Sequence, residues 1–406
     1  MHVLFVHQNF PAQFGHVASY LVQRKGYRCS FASELEPGTS GGIERIQYKI
    51  QGGATLQTHY CSRSFENAIW HSHALYEALA ARPDIKPDLV VAHSGFLSTV
   101  FLRDLYDCPI VNYFEYYYHT TGADLDFRPD FPYPAINRLR ARARNSNLLL
   151  DLENCDVGYS PTRWQRNLFP PTYRSKIRTI FDGIDTAIWR PQTGLPRRIG
   201  GRIVPDNVRI VTYVSRGMES IRGFDIFMKA AKLVCGRRQD VIFVVVGEDR
   251  VCYGGDAEFT GGKTFKEWVL ARDEYDLSRF VFTGLMPTIA LAELFSISDL
   301  HVYLTVPFVL SWSLMDALAC GTTVLASNTA PVREMVEHGK NGLLVDFFDA
   351  ENIADVANQI LDRPGGFKPL GQAGVEMIRE RYSLDVCLPR MLALYEDAVH
   401  ARREQR

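Results

Sequence analysis

The chain has 406 residues, of which 46% are hydrophobic and 22% charged, and its formal net charge is −1. That is long enough for two domains with full cores, and it lacks the basic excess of a nucleic-acid surface. Its eight cysteines include no CxxC pair, which predicts buried free thiols in a reducing compartment and no disulfide framework.

The chain opens with a strand over residues 3–7, and Met1 to His7 lacks the charged and apolar regions of a signal peptide. No apolar run reaches transmembrane length. The expectation is a cytoplasmic protein, with peripheral work at the inner face of a membrane left open. A loop over residues 8–16, containing Gln13, Phe14 and Gly15, leads into a helix over 15–25 and a strand over 27–32. Further short apolar runs at 89–92, 110–114 and 157–160 alternate with helical segments, the pattern of a parallel sheet covered on both faces. In Asp182-Gly183-Ile184-Asp185, Gly183 is assigned to a tight turn. Residues 191–206, rich in Pro, Gly and Arg without apolar periodicity, read as a linker. The plan then repeats, with strands at 210–214, 241–246, 280–282, 300–304 and 324–326. A last helix over 384–402 carries Leu388, Met391, Leu392, Leu394 and Tyr395, with Pro389 expected in its first turn. It could pack on its own domain or cross back onto the first.

The predicted class is therefore α/β: two Rossmann-like doubly wound domains facing a cleft that receives their strand C-termini. The boundaries are 1–190 for the first domain, 191–206 for the linker, 207–383 for the second domain and 384–406 for the final helix.

Chemistry-bearing residues gather where strands end. The helix over 310–321 follows a strand, so its N-terminus offers unpaired N–H groups and partial positive charge to a diphosphate. Val309, Leu310 and Ser311 hold that start, Ser311 and Ser313 can cap it, and Asp316 lies where a carboxylate can accept both hydroxyls of a ribose. Leu285 and Met286, after Thr283-Gly284, are placed at a base pocket. In the first half, His93 and Glu115 end strands on the cleft side. Tyr116 and Asp124 belong to an aromatic and acidic stretch, with the loop over 120–134 a candidate for stacking a carbohydrate. Gln13, Phe14, Gly15, His93, Glu115, Tyr116 and Asp124 are the sugar or acceptor candidates. No His, Asp or Cys cluster has metal-site spacing, and there is no P-loop.

The row Asp316-Ala317-Leu318-Ala319-Cys320-Gly321 resembles the donor-binding half of the retaining family 4 glycosyltransferases, in which an acidic residue precedes Ala-Met-Ala-Cys-Gly. The resemblance implies the GT-B fold. It also implies retaining transfer of a hexose-type sugar from a UDP-, GDP- or dTDP-sugar to a glycan, lipid-linked or small-molecule acceptor, as in polysaccharide biosynthesis. No cofactor or metal is implied. In Ser215-Arg216-Gly217-Met218-Glu219-Ser220-Ile221-Arg222-Gly223, Arg216 matches the family arginine and Arg222 takes the place of its lysine, so both are catalytic and diphosphate-binding candidates. Glu115 stands where the family often has a sugar-contacting His. The family's first motif Glu is missing, its place falling on Phe308 or Val306. That absence keeps two alternatives open, a sugar-nucleotide epimerase of the same fold and a catalytically silent nucleotide-binding subunit.

Overall fold

A computed structural model describes residues 1–404. The chain forms two compact units. The first comprises residues 1–126, 133–183 and 384–404, and the second residues 127–132 and 184–383.

The first unit is built on β1 (His2–Val6), β2 (Arg28–Ser33), β3 (Gly38–Ser40), β4 (Ile43–Gln47), β5 (Leu89–His93), β6 (Ile110–Tyr113), β7 (Val157–Ser160) and β8 (Ile177–Thr179). They lie in the order β3-β4-β2-β1-β5-β6-β7-β8, all pairs parallel except β3 with β4. Alternation along β1 divides the core. Val3 and Phe5 face one side with Val91 and Val111, while Leu4 and Val6 face the other with Leu75 and Ile110. The helix Leu384–Glu404 covers the Val3 and Phe5 side with Leu388, Met391, Leu392, Leu394 and Tyr395. Of the two placements open for this helix, it takes the one in the first unit. Pro389 is its sixth residue and so lies beyond the first turn. Its missing N–H leaves the Asp385 carbonyl without its intrahelical donor, and the helix nevertheless continues to Glu404.

After β9 (Arg198–Ile199) and β10 (Arg202–Ile203), the second sheet comprises β11 (Arg209–Gly217), β12 (Val241–Glu248), β13 (Phe280–Gly284), β14 (Leu300–Tyr303), β15 (Val324–Ser327) and β16 (Leu343–Val345). The order is β13-β12-β11-β14-β15-β16, parallel throughout. Both sheets thus reverse direction of growth beside their first strand, between β1 and β5 and between β11 and β14. In such sheets ligands bind outside the strand C-termini at that switch point.

Two expectations are corrected. Residues 191–206 are not a free linker: β9 and β10 form a hairpin, and Ile199 and Val204 bury against Ile210 and Val244 of the second unit. Two docked side chains hold this segment, too few to register as a pattern. Part of the loop over 120–134 leaves the first unit altogether. Arg128, buried, forks onto Asp225 (2.8 and 3.1 Å) and also pairs with Asp130. Its guanidinium lies 4.7 Å from the Phe131 ring centroid.

All eight cysteines are free, and Cys29, Cys61, Cys108, Cys155, Cys235, Cys252, Cys320 and Cys387 range from buried to half-buried. Among the described residues no helix is long and apolar enough to cross a membrane.

Candidate donor and acceptor sites

In the second unit, the loops after β11 and β14 meet at the switch point. Strand β11 runs on through Arg216, which is exposed, and the turn after it brings in Arg222, only 3% exposed. Arg222 Nη1 donates to Thr305 Oγ1 at 2.8 Å, and its guanidinium stands 5.2 Å from the Tyr253 ring centroid and 5.6 Å from that of Phe308. Phe308 and Val306, the two places where the missing Glu would fall, are both buried, so an apolar side chain stands where that carboxylate would be. Close approach of the loops depends on Gly247: at φ +142° a Cβ there would sit 2.2 Å from the Ser215 carbonyl oxygen.

The loop after β14 leads to the helix Trp312–Ala319, capped by Ser311, whose Oγ accepts from Ser313 N at 3.4 Å. Ser311 N donates to the Tyr303 hydroxyl at 2.8 Å, and Ser313 Oγ donates to the Val214 carbonyl within β11 at 3.1 Å. These bonds fasten the helix start to β11 and β14, with half-buried Val309 and buried Leu310 just before it. Asp316 is buried in this helix and its Oδ1 has no hydrogen-bond partner among the described residues. Burial without a compensating cation pushes its carboxyl well above the usual range. Leu285 stands exposed beyond β13, while Met286 packs on the cluster that holds Val246.

In the first unit the corresponding strand ends are β1 and β5. His93 is buried at the end of β5, its ring 5.0 Å from that of His7 and 5.1 Å from that of Phe96. His93 Nε2 is 3.6 Å from Glu115 Oε2, and His93 Nδ1 has no partner. Glu115 is the more open member of the pair. Behind it the Tyr113 hydroxyl donates to Asp182 Oδ2 at 3.3 Å, while Asp182 Oδ1 is buried and unpaired. Burial, reinforced by the charge of Glu115, pushes the Asp182 carboxyl up to about 7. Burial and the neighbouring His93 lower His7 to about 3, so His7 is neutral at physiological pH.

The remaining first-unit candidates divide. The Gln13 side-chain nitrogen is buried without a partner, and half-buried Gly15 opens the helix Gly15–Lys25. Phe14 is a core residue, fully buried with its ring 5.6 Å from Phe5 and 6.4 Å from Phe31, because aromatic packing claims it. Tyr116 and Asp124 are spent on each other, the hydroxyl donating to Oδ1 at 2.6 Å. Asp126 accepts from Gly122 N and Ala123 N. The carboxylates set aside for a carbohydrate therefore satisfy groups within the chain.

Sequence reasoning passed over Glu219, Tyr253 and Asp256 near the arginines, and Asp182 behind Glu115. Asp182 had a signal, its position directly before the turn at Gly183. For Tyr253 there was none, since it lies 31 positions from Arg222 and reaches it only after folding. Among the described residues no group of three His, Cys, Asp or Glu is placed to hold a metal ion.

Comparison with known proteins agrees with this layout. Residues 25–189 match the family described as glycosyl transferase family 4 group, and residues 202–376 match glycosyl transferases group 1. A D-inositol 3-phosphate glycosyltransferase from Thermobispora bispora is 24% identical over 389 residues, covering 91% of this chain and 82% of that protein. The first curated relatives, by contrast, are matched over only 54%, 51% and 49% of their own length. Among solved structures, the sucrose-phosphate synthase of Thermosynechococcus elongatus superposes with a TM-score of 0.73 at 18% identity, covering 99% of this chain and 100% of that one. Anabaena Alr3699/HepE in complex with UDP-glucose gives 0.71 at 14%, covering 98% and 100%. With two matched segments that together span most of the sequence, the chain belongs to the family 4, group 1 glycosyltransferases and has the GT-B fold.

Proposed function

We propose that the chain is a retaining, hexosyl-transferring enzyme that takes its sugar from a nucleoside diphosphate sugar. The observation that carries this reading is the buried, unpaired Oδ1 of Asp316 on a helix that starts at the switch point. A buried carboxylate oxygen without a partner is costly, and two ribose hydroxyls would satisfy it. Arg216 and Arg222 lie at the same switch point, where they would offset charge growing on the diphosphate as it leaves. In the reaction the bond from the anomeric carbon to the diphosphate breaks and a bond to the acceptor oxygen forms on the same face. The acceptor proton passes to the departing phosphate. A related fold holding UDP-glucose in Anabaena Alr3699/HepE favours UDP as the first nucleotide to try.

On the acceptor side, Glu115 with His93 and Gln13 offer polar groups to a sugar or to its acceptor, a glycan, a lipid-linked saccharide or a small molecule. The protein would work in the cytoplasm, in polysaccharide assembly, with peripheral contact at the inner membrane face where the acceptor is lipid-linked.

A thermal-shift panel of UDP-, GDP- and dTDP-sugars tests the reading. A ligand at 100 times its Kd stabilises the fold by about 2.7 kcal/mol, which appears as a shift of several degrees. No shift with any of them removes the donor site.

A further inference from the structure

Two buried carboxylates beside the arginines have no role in the reaction as proposed. Glu219 is 0% exposed and sits in the turn that joins Arg216 to Arg222. Its Oε1 accepts from three consecutive backbone N–H groups, those of Cys252, Tyr253 and Gly254, at 2.9, 2.7 and 2.8 Å. Successive amides aimed at one point make a concave anion site, and here the chain fills it with its own carboxylate. Glu219 Oε2 is buried without a partner. Asp256 fastens the same turn from another side, Oδ2 accepting from Ser220 N at 2.8 Å and Oδ1 from the Ser220 hydroxyl.

The middle residue of the clipped turn is Tyr253. Its ring lies 5.2 Å from the Arg222 guanidinium and 5.7 Å from the ring centroid of Phe308. Arg222 is thus held by the Thr305 hydroxyl at Nη1 and by two aromatic rings. A free arginine side chain carries about 2 kcal/mol of rotamer entropy, so confining it before the ligand arrives leaves less to lose on binding. The backbone of Tyr253 is itself tied to the oxygen of Glu219 through its N–H.

We propose that Glu219 is a positioning residue: by clipping residues 252–254 it seats Tyr253 against Arg222 and holds the guanidinium ready for the diphosphate. This rests on the donor-site reading above. It gives the missing motif Glu a structural counterpart, because Phe308, standing at that place by spacing, forms the other half of the aromatic seat.

The test is calorimetric titration with whichever of UDP, GDP and dTDP the wild-type chain binds most tightly, alongside thermal melting of each variant. Glu219→Ala and Tyr253→Ala should each weaken binding about tenfold. The double variant should bind no more weakly than the poorer single one, since both remove one seat. Glu219→Gln should stay within about threefold of wild type, its amide oxygen still accepting the three N–H bonds. Additive losses, wild-type affinity in Tyr253→Ala, or a Gln variant as weak as the Ala variant overturns the proposal alone. A wild-type chain that binds none of the three nucleotides overturns the donor-site reading and this proposal with it. Should Glu219→Ala not fold, Tyr253→Ala and Glu219→Gln still decide the matter.

Discussion

Replacing Asp182 by Asn should make the protein more stable than wild type in mild alkali and no better in mild acid. Asp182 is 5% exposed, with one oxygen accepting from Tyr113 and the other unpaired. Burial first, and the charge of Glu115 second, hold its carboxyl up to about 7, against about 3.9 in an unfolded chain. Between those values the folded chain keeps a proton that the unfolded chain has released. Stability from this group is therefore complete below about pH 4 and is lost as pH rises through about 7. Roughly three pH units at about 1.4 kcal/mol each set an upper bound near 4 kcal/mol. A compact unfolded chain and solvent at the Glu115 side reduce this to about 2–3 kcal/mol. Asn keeps an acceptor for the Tyr113 hydroxyl but cannot ionise, so it escapes the loss. From pH 5 to pH 8 only about two of those three units are crossed, so its melting temperature relative to wild type should climb by about 3–8 °C, using about 2–4 °C per kcal/mol for a unit of this size. Buried His7 and His301, both lowered to about 3 by burial, shape each curve alike and cancel in the difference. Differential scanning fluorimetry across that range is the assay. A difference that does not change with pH would refute the reasoning, because Asp182 would then ionise as an exposed carboxylate does.

Arg216→Ala and Arg222→Ala should each lower turnover by about 10²–10³, the usual cost of removing one group that stabilises charge in the transition state, and steady-state kinetics reads this directly. Asp316→Ala should weaken binding of the free nucleoside diphosphate by about tenfold, since each of two hydrogen bonds to ribose hydroxyls contributes about 0.5–1.5 kcal/mol; unchanged affinity by calorimetry returns Asp316 to a helix-packing role. Arg128→Met leaves Asp225 buried without its cation and should cost about 3–5 kcal/mol in urea unfolding, far more than an exposed pair such as Lys340 with Glu337. Transfer should survive excess EDTA, because the two arginines and the helix start supply the charge a divalent ion would otherwise bring; loss on chelation and recovery with Mg²⁺ or Mn²⁺ contradicts this.

What could be read in advance follows from how local each signal is. The core strands β1, β5 and β12 are runs rich in Val, Leu, Ile and Phe and almost wholly buried, so their composition marks them. The edge pair escaped: Gly38-Thr39-Ser40 is short, polar and exposed, and β4 carries Glu44 and Arg45 between its buried Ile43 and Ile46. That Arg216 and Arg222 fall at and just after the end of a strand, and Asp316 in a helix, was legible because each of those segments is contiguous in sequence. Glu219 and Tyr253 lie beside Arg222 but are joined by backbone amides of a distant loop, which no motif encodes. Arg128 shows the limit most plainly. From sequence it belongs to a Pro-Asp turn, while its buried partner Asp225 lies 97 residues away.

The account stands on the chain transferring sugar from a nucleoside diphosphate sugar, and proton NMR of the reaction tests that most directly. With the nucleotide sugar that gives the largest thermal shift and a panel of acceptors, the anomeric signal of the donor should fall as free nucleoside diphosphate appears. The new glycoside should keep the anomeric configuration of the donor. An intact nucleotide sugar with an altered sugar ring contradicts the claim in favour of epimerisation, and a glycoside of inverted configuration contradicts the retaining mechanism.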